Sequence, residues 1–528
     1  MDPLSHGPVS RRRTPVGGVY AWYVLGVLFL VYVLNFVDRQ ILSILAQDIK
    51  AGLGVNDAQI GFLYGTAFAV FYSLFGIPLG RLADEWHRSR LIALGLALWS
   101  GMTALSGLAN SYAQLAAARI GVGVGEASAS PAAYSLLGDY FSPERRATAL
   151  AIYTAGLYTG AGLSLPIGGS IAHGWNHHFA GGGAPFGLAG WQAAFLGVGI
   201  PGLLLAVWVS TLREPVRGLA GGRPAPGRPA AWRDFGRELC AILPPFTLWN
   251  VARIHGLKVN VLLAAGCAAA ALALWRLTGD ALQWSAIATA VYAAGSWLQH
   301  LRTEDRPTYV LLWRTPAVQF SLLSCGFLAF LAYGIGFWVP AYAMRSFHVG
   351  ADVAGWMIGI PSSFGSAAGC IIGGRLSDAW KRRDPRGRIF VCMLSATLAP
   401  PVAFGVVSSS GVGTLYVLYP LWALLSSLWI GSGAAIIQDS VLPRMRATAG
   451  AAFLLAVSLI GLALGPYLVG RVSVLTGSLR LGILSILAVA PLALLAMWRV
   501  SRGLPAAESS KEARAAQAGE RAGPGQDG

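Results

Sequence analysis

Charge is scarce in this sequence. Lys, Arg, Asp and Glu make up 12% of its 528 residues, against 55% hydrophobic ones. A soluble chain carries roughly 25% charged residues, so this composition and a mean hydropathy of +0.58 exclude an ordinary soluble domain. Cysteine is scarce too. Cys240, Cys267, Cys325, Cys370 and Cys392 show no paired spacing, which argues against a disulfide framework or a metal site and leaves them as packing residues. No polar cluster of catalytic type stands out, so no enzyme, metal or organic cofactor is expected. Arg11-Arg12-Arg13 precedes an apolar run from Val19, but no small-residue cleavage site follows it. The run therefore reads as an uncleaved first helix.

What is present is a series of apolar runs, many reaching the roughly 20 residues that a helix needs to cross a bilayer. The net charge of +16 is spread over short loops between them, as positive-inside placement requires and nucleic-acid binding does not. The expected architecture is an all-α polytopic membrane protein of about 14 spans, divided as follows. Residues 1–18 are a cytoplasmic tail and 19–212 a six-helix bundle. Residues 213–257 are a cytoplasmic linker, with Trp232, Phe235, Leu239 and Ile242 on one face of an amphipathic helix ended by Pro244-Pro245. Residues 258–302 are an inserted two-span hairpin, 303–502 a second six-helix bundle, and 503–528 a disordered cytoplasmic tail. The protein is expected in the cell's inner membrane with both termini in the cytoplasm, and as a monomer.

Four charges fall inside spans, away from their ends: Asp38, Arg39, Arg119 and Glu126. Arg119 and Glu126 are close to two turns apart on one helix, about 10 Å along its axis. Asp38 lies about 27 Å along the first helix, at a depth similar to Arg119. Charge inside a span is costly and marks a cavity or a partner. The second bundle's spans carry none.

The chain also repeats itself. Asp139 to Ala149, with Pro143, Arg146 and Ala-Thr-Ala, returns as Asp439 to Ala449 at an offset of 300. Gly80-Arg-Leu-Ala-Asp84 returns as Gly374-Arg-Leu-Ser-Asp378 at an offset of 294. Two echoes at nearly one offset imply two parallel six-helix halves.

These loops and the arginine of the fourth helix resemble the major facilitator superfamily. Asn35-Phe-Val-Asp38-Arg39, Arg119 through Glu126-Ala-Ser128-x-Ser-Pro131, and Asp139 through Ala149 are similar to Spinster-type transporters. The resemblance covers both bundles and not the insert. It implies proton-coupled transport, by alternating access, of a lysophospholipid- or sphingolipid-like amphiphile. It also implies a coupling role for Glu126, Asp38, Arg119 and Arg39. On this reading Glu126 carries the proton, Arg119 exchanges partners between Asp38 and Glu126, and Arg39 holds an anionic head group or compensates Asp38. Asn35, Arg39 and Ser128, with Phe327, Tyr333, Phe337, Trp338 and Trp429, are expected to line a half-polar, half-aromatic cavity. Asp84, Arg88, Asp139 and Arg146, with Asp378, Asp439 and Arg446, are expected to gate the cytoplasmic side.

Two alternatives stay open: a proton-coupled carrier of small organic anions or sugars, and a lipid scramblase or membrane sensor. Gly121-x-Gly123-x-Gly125 lies in an apolar helix with no preceding strand, so it reads as close helix packing and not a nucleotide loop. His173, His177 and His178 read as a solvated loop.

Overall fold

The computed structural model describes residues 18–217, 231–242 and 257–520. The Pro244-Pro245 stop and the last residues of the tail lie outside them. The first half comprises α1 (Val19–Leu53), α2 (Asp57–Tyr64), α3 (Thr66–Glu85), α4 (Arg88–Ser106), α5 (Tyr112–Glu126), α6 (Ala129–Tyr140), α7 (Pro143–His178) and α8 (Gly190–Ser210). Next come α9 (Ala231–Ile242) and a helix pair, α10 (Leu257–Thr278) and α11 (Ala281–Glu304), then the short α12 (Arg306–Trp313). The second half holds α13 (Pro316–Phe347), α14 (Ala351–Lys381), α15 (Gly387–Val407), α16 (Val412–Ser427), α17 (Trp429–Asp439) and α18 (Pro443–Thr476). It ends with α19 (Leu479–Ile486), α20 (Val489–Ser509) and α21 (Lys511–Gln517).

Among the described residues, 11 helices are long and apolar enough to cross a membrane, fewer than the expected 14 spans. The others fall short for visible reasons. The helix α4 opens on Arg88-Ser-Arg90, and α11 is dotted with Gln283, Ser285 and Ser296. The expected fourth helix breaks between α5 and α6. Pro131 cannot donate to the carbonyl four residues back and clashes with it, which ends the ladder at Ala127. Ser128 N–H and Oγ both donate back to the Gly125 carbonyl, at 3.3 and 2.9 Å, and close the end of α5.

The repeat is visible in the helix ends. The helix α1 ends on Gly54 and α13 on His348, both left-handed and 294 residues apart. Ser111 and Gly411, 300 apart, precede α5 and α16, and α6 and α17 start at Ala129 and Trp429. The two offsets therefore hold through the spans that carry the internal charges.

The expected disorder beyond residue 503 is corrected up to Glu520. The helix α20 runs to Ser509 and α21 follows it, with Leu504 and Ala515 buried. Arg514 Nη2 donates to Thr315 Oγ1 at 2.6 Å, and Arg444 pairs with both Glu520 and Asp305. The segment's alanines favour helix, and ion pairs supply the docking that apolar area does not.

The halves meet through backbone contacts at small residues. On one seam, a Cβ on Gly61 would strike the Pro466 carbonyl and one on Gly65 that of Leu462. On the other, Gly355 sits against Leu165 and Gly359 against Gly162. Thr66 Oγ1 donates across the first seam to the Ala463 carbonyl at 2.8 Å.

Candidate functional site

The four internal charges converge. Arg39 Nη2 donates to Glu126 Oε2 at 2.6 Å and Arg39 Nε to the same oxygen at 3.2 Å. The guanidinium lies among Phe36, Phe68 and Tyr72, with ring centroids 4.8, 4.4 and 5.2 Å away. Asn35, one turn before Arg39, faces the same carboxylate, and Tyr333 approaches Arg39 from the second half. This pair is buried, with Glu126 1% exposed and Arg39 8%.

The partnering differs from that expected. Arg119 does not take the Glu126 carboxylate: its Nη1 donates to the Asp38 main-chain carbonyl at 3.3 Å, and Nε and Nη2 have no partner. The reason is angular. Asp38 and Arg39 are neighbours on one helix and so point about 100° apart. Only Arg39 is aimed at the end of α5, where Glu126 is the last residue. Asp38 turns instead toward Trp99 and Thr103 of α4. Asp38 Oδ1, Trp99 Nε1, Thr103 Oγ1 and Glu126 Oε1 are all buried without a formed hydrogen bond. Four under-bonded polar atoms around two carboxylates form a strained cluster that a proton or a changed rotamer would relieve.

The expected cavity residues divide. Asn35, Arg39 and Tyr333 are grouped as described. Phe337 stacks on Tyr64 at 4.1 Å, and Ser43 Oγ donates to its carbonyl at 2.6 Å. Trp338 is fully buried and donates to the Pro466 carbonyl at 2.8 Å. These two plug the contact between halves rather than face an open space. The Ser128 hydroxyl is spent on its own helix, as noted. Phe327 and Trp429 pack in a cluster inside the second half with Cys325, Ile436 and Met497.

The expected gate residues pair within each half. Arg88 bonds Asp139 at 2.5 Å and Glu214 at 2.7 Å, and Arg146 donates to the Gly138 carbonyl at 2.7 Å. Asp84 is exposed near Arg217 and Arg88. In the second half Asp439 takes both Lys381 and Arg388, Asp378 lies 3.8 Å from Arg388, and Arg446 is exposed.

A site that the sequence reading missed sits at the other end of the bundles. Asp57, at the start of α2, accepts from Arg345 Nη1 and Nη2 at 2.7 and 2.6 Å, from Ser473 at 2.7 Å and from Lys50 at 3.0 Å. Arg345 Nε also donates to Gln47 at 2.7 Å. Arg345 and Ser473 belong to the second half and the others to the first. On the opposite seam His173 lies 3.7 Å from Asp352. The halves are thus fastened by charge at the end away from the basic loops. At the basic-loop end, the ion pairs of the described gate residues stay within one half.

A small cleft of about 10 Å³ lies within the second half, lined by Leu331 and Ala332 of α13, Ala396 and Pro400 of α15, and Trp422 and Ser426 of α16.

A paired, helix-borne charge cluster in one of two repeated helical halves, which are fastened at one end, is the layout of a membrane carrier. The Major Facilitator Superfamily model matches residues 28–301 and 305–523, and the chain belongs to that superfamily of transporters. It is 28% identical over 469 residues to an MFS-type efflux pump of Mycolicibacterium smegmatis, covering 89% of this chain and 86% of that protein. It is 23% identical over 477 residues to protein spinster of Drosophila melanogaster, covering 88% of this chain and 64% of that one. Among solved structures, a bacterial homologue of the human lysosomal transporter Spinster, in an inward-facing and occupied conformation, superposes with a TM-score of 0.65. That match is at 25% identity and covers 96% of this chain and 100% of the other.

Proposed function

We propose that the protein is a proton-coupled secondary transporter of an amphiphilic, lipid-like substrate, working by alternating access. The observation that carries this reading is the buried Arg39–Glu126 pair, beside Asp38 and Arg119, in a carrier held shut at one end. With the basic loops on the cytoplasmic side, the present state is inward-facing, and both termini lie inside. The pair α10–α11 is an added hairpin of two spans.

Glu126 cannot release Arg39 while it is ionised, because an unpaired buried charge is too costly. Protonation of Glu126 removes the attraction and frees the guanidinium. Arg39 then offers two N–H groups, among aromatic rings, to an anionic head group. Asp38 and Arg119 lie within reach as second partners, so the cluster exchanges one proton for one anion without leaving a bare charge. The apolar lining of the second half suits the rest of an amphiphile.

The experiment is uptake into proteoliposomes under an imposed pH gradient, with a panel of fluorescent lysolipids and sugar acids. Gradient-dependent lysolipid flux supports the reading. Flux confined to sugar acids moves it to the small-anion alternative, and lysolipid flux indifferent to the gradient points to a scramblase.

A further inference from the structure

We propose that α10–α11 is an arm of the second half that reaches across the seam between the halves and rests on α3. Its two attachments to the second half are strong and lie at both ends. At the tip, Tyr467 of α18 donates to Asp280 Oδ2 at 2.7 Å, Arg471 Nη1 stands 3.7 Å from the same oxygen, and Trp284 packs edge-on against Tyr467 at 5.7 Å. At the base, Leu301 is buried with Val318, Ile437, Met445 and Ala449, with Trp297 packed alongside. There Asp305, directly after α11, is clamped by Arg444 at 2.8 and 3.1 Å. The C-terminal α21 closes over this base through Arg514 and Ala515.

Contact with the first half is of another kind. It includes one neutral hydrogen bond, Thr66 Oγ1 to Gln283 Oε1 at 2.7 Å, and an apolar contact of Ala290 and Ala293 with Val70 and Leu74, with Ala286, Ile287, Phe71 and Phe75 packed around them. Thr66 shares its single hydroxyl proton between Gln283 and the Ala463 carbonyl, and Gln283 Nε2 has no partner. Apart from that hydrogen bond the contact is apolar and non-directional. An element tied by charge at two places and touching the other body through one shared hydrogen bond and apolar side chains moves with the first and slides on the second. Since α11 lies along α18 from tip to base, it also covers the seam between α3 and α18. The opposite seam, between α7 and α14, has no such cover among the described residues. The arm therefore closes one flank of the carrier to the bilayer and must slip along α3 whenever the fastened ends part.

Two disulfides distinguish this arm from a passive insert, in a background lacking the five native cysteines and carrying Arg345→Gln to let the fastened ends open. Thr66→Cys with Gln283→Cys pins the arm to the first half, and Asp280→Cys with Arg471→Cys pins it to the second. Hydrogen exchange of the peptides around 57–66 and 462–471 is read by mass spectrometry before and after reduction. The first disulfide is expected to slow that exchange at least tenfold, reversibly. The second is expected to leave it within twofold of the reduced protein. Equal effects of the two disulfides, or slowing by the second alone, overturn the proposal. Gln283→Ala needs no cross-link and keeps the tip on Tyr467: faster exchange at 57–66 is expected, and an unchanged rate overturns the proposal as well.

Discussion

Where α1 has Asp38 and Arg39, α13 has Ala332 and Tyr333, and where α5 has Arg119 and Glu126, α16 has Tyr419 and Ser426. The helix ends fix these equivalences, at 294 for the first pair of helices and 300 for the second. One half fills the space with charge and leaves several polar atoms under-bonded. The other fills it with neutral side chains, of which Ala332 and Ser426 line a small cleft. The scaffold is shared and its contents are opposite. Buried charge is costly in a membrane, which is reason enough for the second half to do without it. The second half then contributes Tyr333, whose hydroxyl lies within the electrostatic reach of Arg39.

The largest effect is expected from removing one member of the charged pair. Arg39→Leu leaves Glu126 buried without its ion-pair partner, at a cost of about 3–5 kcal/mol. Tyr333→Phe at the equivalent position costs ~1 kcal/mol or less. Thermal unfolding in detergent measures both, and equal losses would mean that the charges are not set apart from their counterparts.

Next comes the fastening of the halves. Arg345→Gln removes the bidentate bond to Asp57 and is expected to raise the population open at that end by 5- to 30-fold, corresponding to about 1–2 kcal/mol. Gly65→Ala, which sets a Cβ on the Leu462 carbonyl, charges about 1–3 kcal/mol to the closed state alone and shifts the population the same way. Distances between spin labels on the exposed ends of α1 and α18 read both.

The smallest effect is pH-dependent. Burial pushes the Asp305 carboxyl up, but hydrogen bonds from Arg444 and Thr308 outweigh it and hold its pKa below the usual value. A carboxyl whose pKa is lowered in the folded state stabilises it above its unfolded value, and that stability is lost as the pH falls through the folded one. Asp305→Asn should therefore lower the melting temperature slightly at pH 7 and leave it unchanged well below pH 3.9, the ordinary carboxyl value. The group is partly solvated, so the loss is small.

The sequence showed the four internal charges because charge in an apolar run is conspicuous, and it showed the repeat because two loops echo each other. It did not show which arginine takes Glu126. That depends on the direction of two adjacent side chains on α1, which helical spacing constrains only once the partner helix is in place. The Asp57–Arg345 fastening was invisible for the opposite reason. Charges at helix ends are ordinary, and nothing in the order of residues joins 57 to 345. The tail was misread because its low apolar content resembles that of disordered segments, while its docking rests on Arg444, Arg514 and Glu520.

The most direct test of coupling confined to one half is the ratio of fluorescent lysolipid uptake with and without an inward pH gradient, compared for the wild type, Glu126→Gln and Ser426→Ala. The account predicts a ratio well above one for the wild type and Ser426→Ala, and a ratio of one for Glu126→Gln. A Glu126→Gln protein that still responds fully to the gradient would contradict it.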